Sequence, residues 1–392
     1  MYNLLSDLSI VEVSSFVASP TAGLYCAQMG AEVIRVDHKA GGLDYNRYML
    51  TAEGRSLSWE NLNRAKKSVA LDLQSPEGRE LLVELAAKVG QCITNLPEQS
   101  FLSHAAMAAK RADMISLRVM GWHDGRQAMD FTVNAAAGYP LMTGPEDWDP
   151  ATAPPVNQVL PAWDFITGAY GAFAMLAALR HRDRTGEGQR IDLALLDAQV
   201  AMMSNQAANW LNGGPEPRRL GNQHPNIVPY QVFACADGDI LIATANDRQY
   251  RKLCRVIGRD ELADDPRFAA MSARGTNRAA LLAEIEPVIG AWPSDDLVTA
   301  LNDAGVPSGR VNTVPEALDH PQVRARELVG ELERQDGSEV RFVGFPAKLS
   351  ASPASYRTAP PRAGEDGAEV LGEILDLEHD EIVRLQGLGI VG

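Results

Sequence analysis

SIVEVSSFVASPTAGLYCAQMGAEVIRVD, residues 9–37, is the stretch on which the fold turns. Ser9–Val13 reads as a buried strand and Glu32–Asp37 (EVIRVD) as a second one. Between them SSFVASPTAG leads into a helical segment that runs through Met29. Strand, helix and strand in that order form a β-α-β unit, which favours a parallel sheet with ligands at the carboxyl ends of its strands. A dinucleotide site would place GxGxxG in the connecting turn so that backbone could approach a pyrophosphate. SSFVASPTAG lacks that spacing, and NAD binding is disfavoured.

The alternation continues outward. VALDL (Val69–Leu73), QCITN (Gln91–Asn95), MISLRVM (Met114–Met120) and Arg190–Ala194 read as strands, with helices ending near Lys88 and spanning His104–Lys110. This pattern predicts an open, doubly wound α/β domain. After Asn212 the run GGPEPRRLGNQHPN reads as a linker, and YQVFACADGDILIATAN as a hairpin turning at ADGD. Helical segments follow at Arg248–Ile257, Arg278–Ala291 and Asp295–Ala304. The expected organisation is a large α/β domain from residues 1–215 and 330–392, with a linker and smaller α+β domain at 216–329. A helix at Glu365–Leu375 and the segment HDEIVRLQGLGIV are expected to return to the first domain.

Composition limits the partners. The 392 residues carry a formal charge of −15, which argues against nucleic acid or an anionic membrane. A local cluster of cations and backbone N–H groups can still hold a small polyanion. Cys26, Cys92, Cys235 and Cys254 are widely spaced without a CxxC pair, so no metal site is expected and the thiols read as reduced. The N-terminal segment lacks a basic region and a long apolar run, and no apolar stretch reads as a membrane span. A cytoplasmic protein is expected.

Several residues carry possible chemistry. Asp37 ends the second strand and is followed by His38 and Lys39. By itself this is most simply a solvated strand end. Arg64, Lys66 and Lys67 make a basic run before VALDL, either a solvated face or a phosphate site. TGEGQ (Thr185–Gln189) lacks the Lys-Ser/Thr of a P-loop and serves to stop a helix. In PAWDFITGAYGAFAMLAALRHRDR (Pro161–Arg184), Asp164 stands before a segment rich in Gly and Ala. It reads first as the N-cap of a helix starting at Phe165, and compatibly with that as a nucleophile beside a close-packing surface.

Taken together, IVEVSSFVASPTAGLYCAQMGAEVIRVD, NRAKKSVALDL, ITNLP, WDFITGAYGAFAMLAALRHRDRTGEGQRIDLALLDA, LADDPRF and the C-terminal APPRAGEDGAEVLGEILDLEHDEIVRLQGLGIV resemble the family III CoA-transferases nearly end to end. The resemblance implies an open, doubly wound, Rossmann-like large α/β domain built from both chain ends, a smaller α+β domain and an interlocked homodimer. Coenzyme A would enter as part of an acyl-CoA substrate, with no prosthetic group and no metal, and lie between the domains. Its contacts would come from Ser15, Val17, Ala18, His38, Leu71, Asn95 and Leu96, with Lys67 and Arg47 beside them. Ser15 and Val17 stand where other members often carry His and Gln.

The resemblance also makes Asp164 the catalytic aspartate, attacking the thioester, with helix N–H groups stabilising the oxyanions. A racemase of this family would need a His just before Asp130, where this chain has Met129, so racemisation falls behind transfer. GGLDYNRYMLTAEGRSLSWENLNRAKKS, HDGRQAMDFTVN, GYPLMTGP and NQVLPAWDFITG resemble the branch that moves CoA between the two carboxyls of mesaconyl-CoA. Transfer between two separate dicarboxylates is the alternative, and a non-catalytic acyl-CoA-binding protein a third reading. Arg47, Arg118 and Arg126 are the candidates for the free carboxylate of a dicarboxylate substrate, because a guanidinium matches a carboxylate at two points.

Overall fold

The computed structural model describes residues 4–392 apart from 48, 52, 53, 99 and 150. It separates into two compact units. One contains residues 1–137, 158–213 and 326–392, and the other residues 138–157 and 214–325.

The first unit is built on six parallel strands: β1 (Ser9–Val13), β2 (Glu32–Asp37), β3 (Lys66–Ala70), β4 (Gln91–Thr94), β5 (Ile115–Met120) and β6 (Gln189–Ala194). Their spatial order is 3-2-1-4-5-6. The chain therefore reverses direction across the sheet between β1 and β4, and such a switch point opens a crevice at the strands' carboxyl ends.

Both faces of the sheet are covered, which explains why the strands read as continuous apolar runs. One face packs Ile10, Val33, Ile93, Ile115 and Leu117 against Ala22 and Cys26 of the Ala18–Gln28 helix and Met175 and Ala178 of the Ala162–Thr185 helix. The other packs Val11, Ile34 and Val69 against Leu82 of the Pro76–Val89 helix and Val370, Leu371, Ile382, Leu385 and Val391. Residues from both chain ends thus share one core, and Val391 bridges to Leu71 beyond β3.

The two helices on the first face approach closely because their contact is made of small residues. A Cβ on Gly168 would lie 2.5 Å from the Thr21 Cβ and 2.6 Å from the Ala18 carbonyl. Gly186, in the left-handed region at φ 76°, ends the long helix by donating its N–H to the Arg182 carbonyl at 2.7 Å. This matches the stopping role expected for TGEGQ. By length and composition the Ala162–Thr185 helix could cross a membrane, an amendment to the sequence reading. Its Gly171 side rests against Leu117 of β5 and Leu193 of β6.

β3 departs from expectation. It spans Lys66–Ala70 rather than Val69–Leu73. Lys66 enters the sheet because its ammonium is fully buried against Glu12 of β1 at 2.8 Å and donates to the Pro20 carbonyl at 2.9 Å. Arg35 of β2 completes a buried ionic layer, reaching Glu12 at 3.3 Å, Asp37 at 2.7 Å and Asp44 at 3.2 Å. Gly23 makes room for it, since a Cβ there would lie 1.8 Å from a Glu12 carboxylate oxygen. A bare strand end at Asp37 and a solvated face at Lys66 are both corrected: the two side chains are buried and paired.

The second unit has the expected hairpin, β7 (Tyr230–Ala234) with β8 (Asp239–Ala243), extended by β9 (Ser308–Arg310) into an antiparallel sheet. The helices Asp247–Val256, Arg278–Ile289 and Ser294–Asp303 pack their Leu253, Ile285 and Leu297 onto Phe233 and Ile240. The hairpin β10 (Val329–Glu333) and β11 (Glu339–Val343) belongs to the first unit.

Candidate active site

A cavity of about 240 Å³ opens at the carboxyl ends of β1, β2 and β3. Ser15, His38, Leu71 and Leu96 line it, together with Gly41, Leu43 and Asp72–Gln74, which sequence reasoning missed. Its walls rest on the buried ionic layer through Arg35, Asp37 and Asp44. Burial raises the Asp37 carboxyl, while Arg35 and the Ser68 hydroxyl pull it back down.

At the switch point Asn95 ties the turn after β1 to the end of β4. Its Oδ1 accepts from the Ser15 N–H at 3.0 Å and its Nδ2 donates to the Ser15 carbonyl at 2.6 Å. The next residue, Phe16, sits at φ 68°, a conformation a bulky side chain rarely adopts. Asp44 holds it there by accepting the Phe16 N–H at 2.8 Å. No local sequence signal marks this strained residue, because its anchor lies 28 positions away. Val17 then precedes the Ala18–Gln28 helix, and Ala18 is buried as its first residue.

Lys67 lies apart from this cavity's lining. Its ammonium pairs with Glu32 and Glu369, each at 2.8 Å. Arg64 donates to the Val343 carbonyl at 2.9 Å and packs over the Phe342 ring. The basic run Arg64–Lys67 therefore does not present three cations to one ligand.

Asp164 is the third residue of the Ala162–Thr185 helix, and Pro161 holds the N-cap position without a side-chain cap. The N-cap assignment for Asp164 is thus overturned. The cap comes instead from Asp130, whose Oδ2 accepts the Trp163 N–H at 3.0 Å and the Asp164 N–H at 3.2 Å. Those two amides are consequently engaged by Asp130. Burial pushes the Asp164 carboxyl up to about 7, Asp130 adds to the rise, and Arg47 opposes it.

Arg47 is the only one of the three candidate arginines whose charge acts on Asp164. Its guanidinium lies over the Phe16 ring, 5.4 Å from the centroid, and has no ion pair among the described residues. Arg118 is tied to Glu98 at 2.8 Å and Arg126 to Asp124 at 2.7 Å. No group of three or more His, Cys, Asp and Glu side chains suited to a metal occurs among the described residues.

Residues 5–367 match the model of CoA-transferase family III. The chain belongs to that family. It is 35% identical to the succinate–glutarate CoA-transferase of Agrobacterium fabrum, over 96% of each chain. It is also 35% identical to the 2-methylfumaryl-CoA isomerase of Chloroflexus aurantiacus, over 100% of this chain and 98% of that one. A crystal structure of a CAIB/BAIF family protein from Brucella suis superposes with a TM-score of 0.81 at 34% identity, covering 94% of this chain and 98% of that one. The protein is a CoA-transferase of an α/β fold, and the two relatives at 35% identity are named for two different reactions.

Proposed function

We propose that this enzyme moves coenzyme A between carboxyl groups of short dicarboxylates through a covalent intermediate on Asp164. The observation that carries the reading is Asp164 itself: a carboxylate raised by burial, in the first turn of a helix, under the influence of an exposed Arg47 that makes no ion pair among the described residues. Attack of its carboxylate on the thioester carbonyl gives a mixed anhydride and releases CoA thiolate. The thiolate attacks the aspartyl carbonyl, forming an enzyme–CoA thioester and freeing the acid as its carboxylate. An acceptor carboxylate reverses both steps. In this reading Ser15, His38, Leu71 and Leu96 receive the CoA moiety in the cavity at the strand ends, with Asn95 fixing Ser15. Arg47 holds the carboxylate that is not reacting. Arg118 and Arg126, each neutralised by an acidic neighbour, are set aside.

For the specific reaction we favour intramolecular transfer from C1 to C4 of mesaconyl-CoA. Full-length similarity to the 2-methylfumaryl-CoA isomerase supports it, along with the stretches around Arg47, Asp130 and Asp164 that resemble that branch. Equal identity to the succinate–glutarate CoA-transferase supports a second reading, intermolecular transfer with a separate dicarboxylate acceptor. Incubating the purified protein with C1-mesaconyl-CoA and no added acid separates them. Chromatographic conversion to the C4 isomer is expected. Strict dependence on an added dicarboxylate would replace the first reading by the second.

A further inference from the structure

We propose that Asp130 is the positioning residue for Asp164, holding the first turn of the helix that carries the nucleophile. This rests on the assignment of Asp164 as nucleophile. Helix N-termini leave their first N–H groups without partners inside the helix, and a side chain from the same segment usually accepts one of them. Here the segment offers none, since Pro161 stands at the cap. One oxygen of Asp130 takes two of these amides, those of Trp163 and of Asp164 itself.

Asp130 is in turn fixed on its other side. Its Oδ1 accepts from Asn134 Nδ2 at 3.0 Å, one turn further along its own helix, Asp130–Ala136. Asn134 Oδ1 accepts from Gln199 Nε2 at 2.6 Å and from the Trp163 indole N–H. Asp130, Asn134 and Gln199 are buried, so this polar network joins three helices at the start of the one bearing Asp164. In this low-dielectric setting the bonds that engage both oxygens of Asp130 are strengthened, while Gln199 Oε1 has no partner among the described residues.

The arrangement also places a second carboxylate against the nucleophile. The charged groups acting on Asp164 are Asp130, from the Asp130–Ala136 helix, and Arg47, from the segment after the Gly42–Tyr45 helix. The Ala18–Gln28 helix, packed along the other side, carries no charged residue. Repulsion from Asp130 disfavours the free Asp164 carboxylate, and it is relieved once that carboxylate becomes a neutral anhydride or thioester. Asp130 thus orients the nucleophile and raises the energy of its resting state relative to the acylated one.

Asp130→Asn keeps an oxygen able to accept the two amides but removes the charge, whereas Asp130→Ala removes both. The readout is the pH dependence of covalent adduct formation on Asp164, by mass spectrometry after mixing with C1-mesaconyl-CoA and, separately, with succinyl-CoA, so that either transfer reaction can load the residue, alongside kcat and KM. With the wild-type protein the adduct should form with an acid limb near the raised Asp164 value, about 7. In Asp130→Asn that limb should move to lower pH. In Asp130→Ala kcat should fall by roughly ten- to a hundred-fold, the cost of misplacing a reacting group, with KM for acyl-CoA little changed. Asp130→Asn should recover more of kcat than Asp130→Ala. An adduct on wild type with the same pH profile in Asp130→Asn overturns the role of Asp130 alone, whether or not the alanine variant folds. Absence of any adduct at Asp164 in wild type overturns the nucleophile assignment, and the role of Asp130 falls with it.

Discussion

A carboxylate in the first turn of a helix ordinarily gains from the amide dipole, which holds its pKa low. Asp164 stands in that turn, yet burial and Asp130 lift it to about 7. Since the folded value lies above the ordinary 3.8, the folded chain holds more protons than the unfolded one between those limits. Stability therefore falls as pH rises through that window. Asp164→Asn removes both the cost and the nucleophile. It should lower kcat by roughly 10⁴-fold or more, as loss of a covalent nucleophile does elsewhere. Its melting temperature should exceed that of wild type at about pH 8, with the difference shrinking toward about pH 4. A difference that is the same at both pH values would show that Asp164 does not titrate in the folded protein as described. The candidate nucleophile could be picked out from its sequence surroundings, but its structural role could not. Read from sequence, the helix starts at Phe165 with Asp164 as its own cap, whereas it begins at Ala162 and its capping carboxylate comes from a residue 34 positions away, beyond any local signal.

Among the elements, β3 shows where hydrophobic patterning fails. VALDL has the apolar character of a strand, but Leu71 goes on to line the cavity, and the strand is displaced to include two lysines. What admits Lys66 is Glu12 on β1, which no spacing rule connects to it. β1, β2, β4 and β5 were legible because each is buried on both faces and reads as an apolar run. Burial pushes the Lys66 ammonium down to about 8 while Glu12 pulls it back up. Removing one partner of a buried pair leaves the other charge uncompensated, at a cost of about 3–5 kcal/mol. Lys66→Met should lower unfolding free energy by about that amount in denaturant titration. A loss below about 1 kcal/mol would mean that Arg35 and the Ser14 hydroxyl, which donates to Glu12 at 2.9 Å, satisfy Glu12 without the lysine.

For the whole molecule, the surface of the first unit bears on assembly. The Ala162–Thr185 helix buries Gly168, Gly171, Ala172 and Met175, and its opposite stripe presents Tyr170, Phe173 and Leu176 to solvent. Phe173 is 70% exposed, and on the following helices Trp210 and Leu211 are 60% and 80% exposed. Large apolar side chains gathered along one helix face mark an interaction surface on a folded protein. The sequence showed this helix to be rich in Gly and Ala but gave no sign of which stripe faces the sheet, because Gly and Ala alternate with larger residues around it. A second copy of the chain is the occupant we propose, in keeping with the homodimer expected from the family resemblance, and such an interface would cover the stripe on both copies. Light scattering of the purified enzyme should give a mass of two chains. Phe173→Arg, exposed in the single chain and so harmless to its core, should shift that mass to one chain while far-ultraviolet circular dichroism stays unchanged. A wild-type mass of one chain at working enzyme concentrations would rule the dimer out, and would leave the Tyr170–Phe173–Leu176 stripe to a different partner.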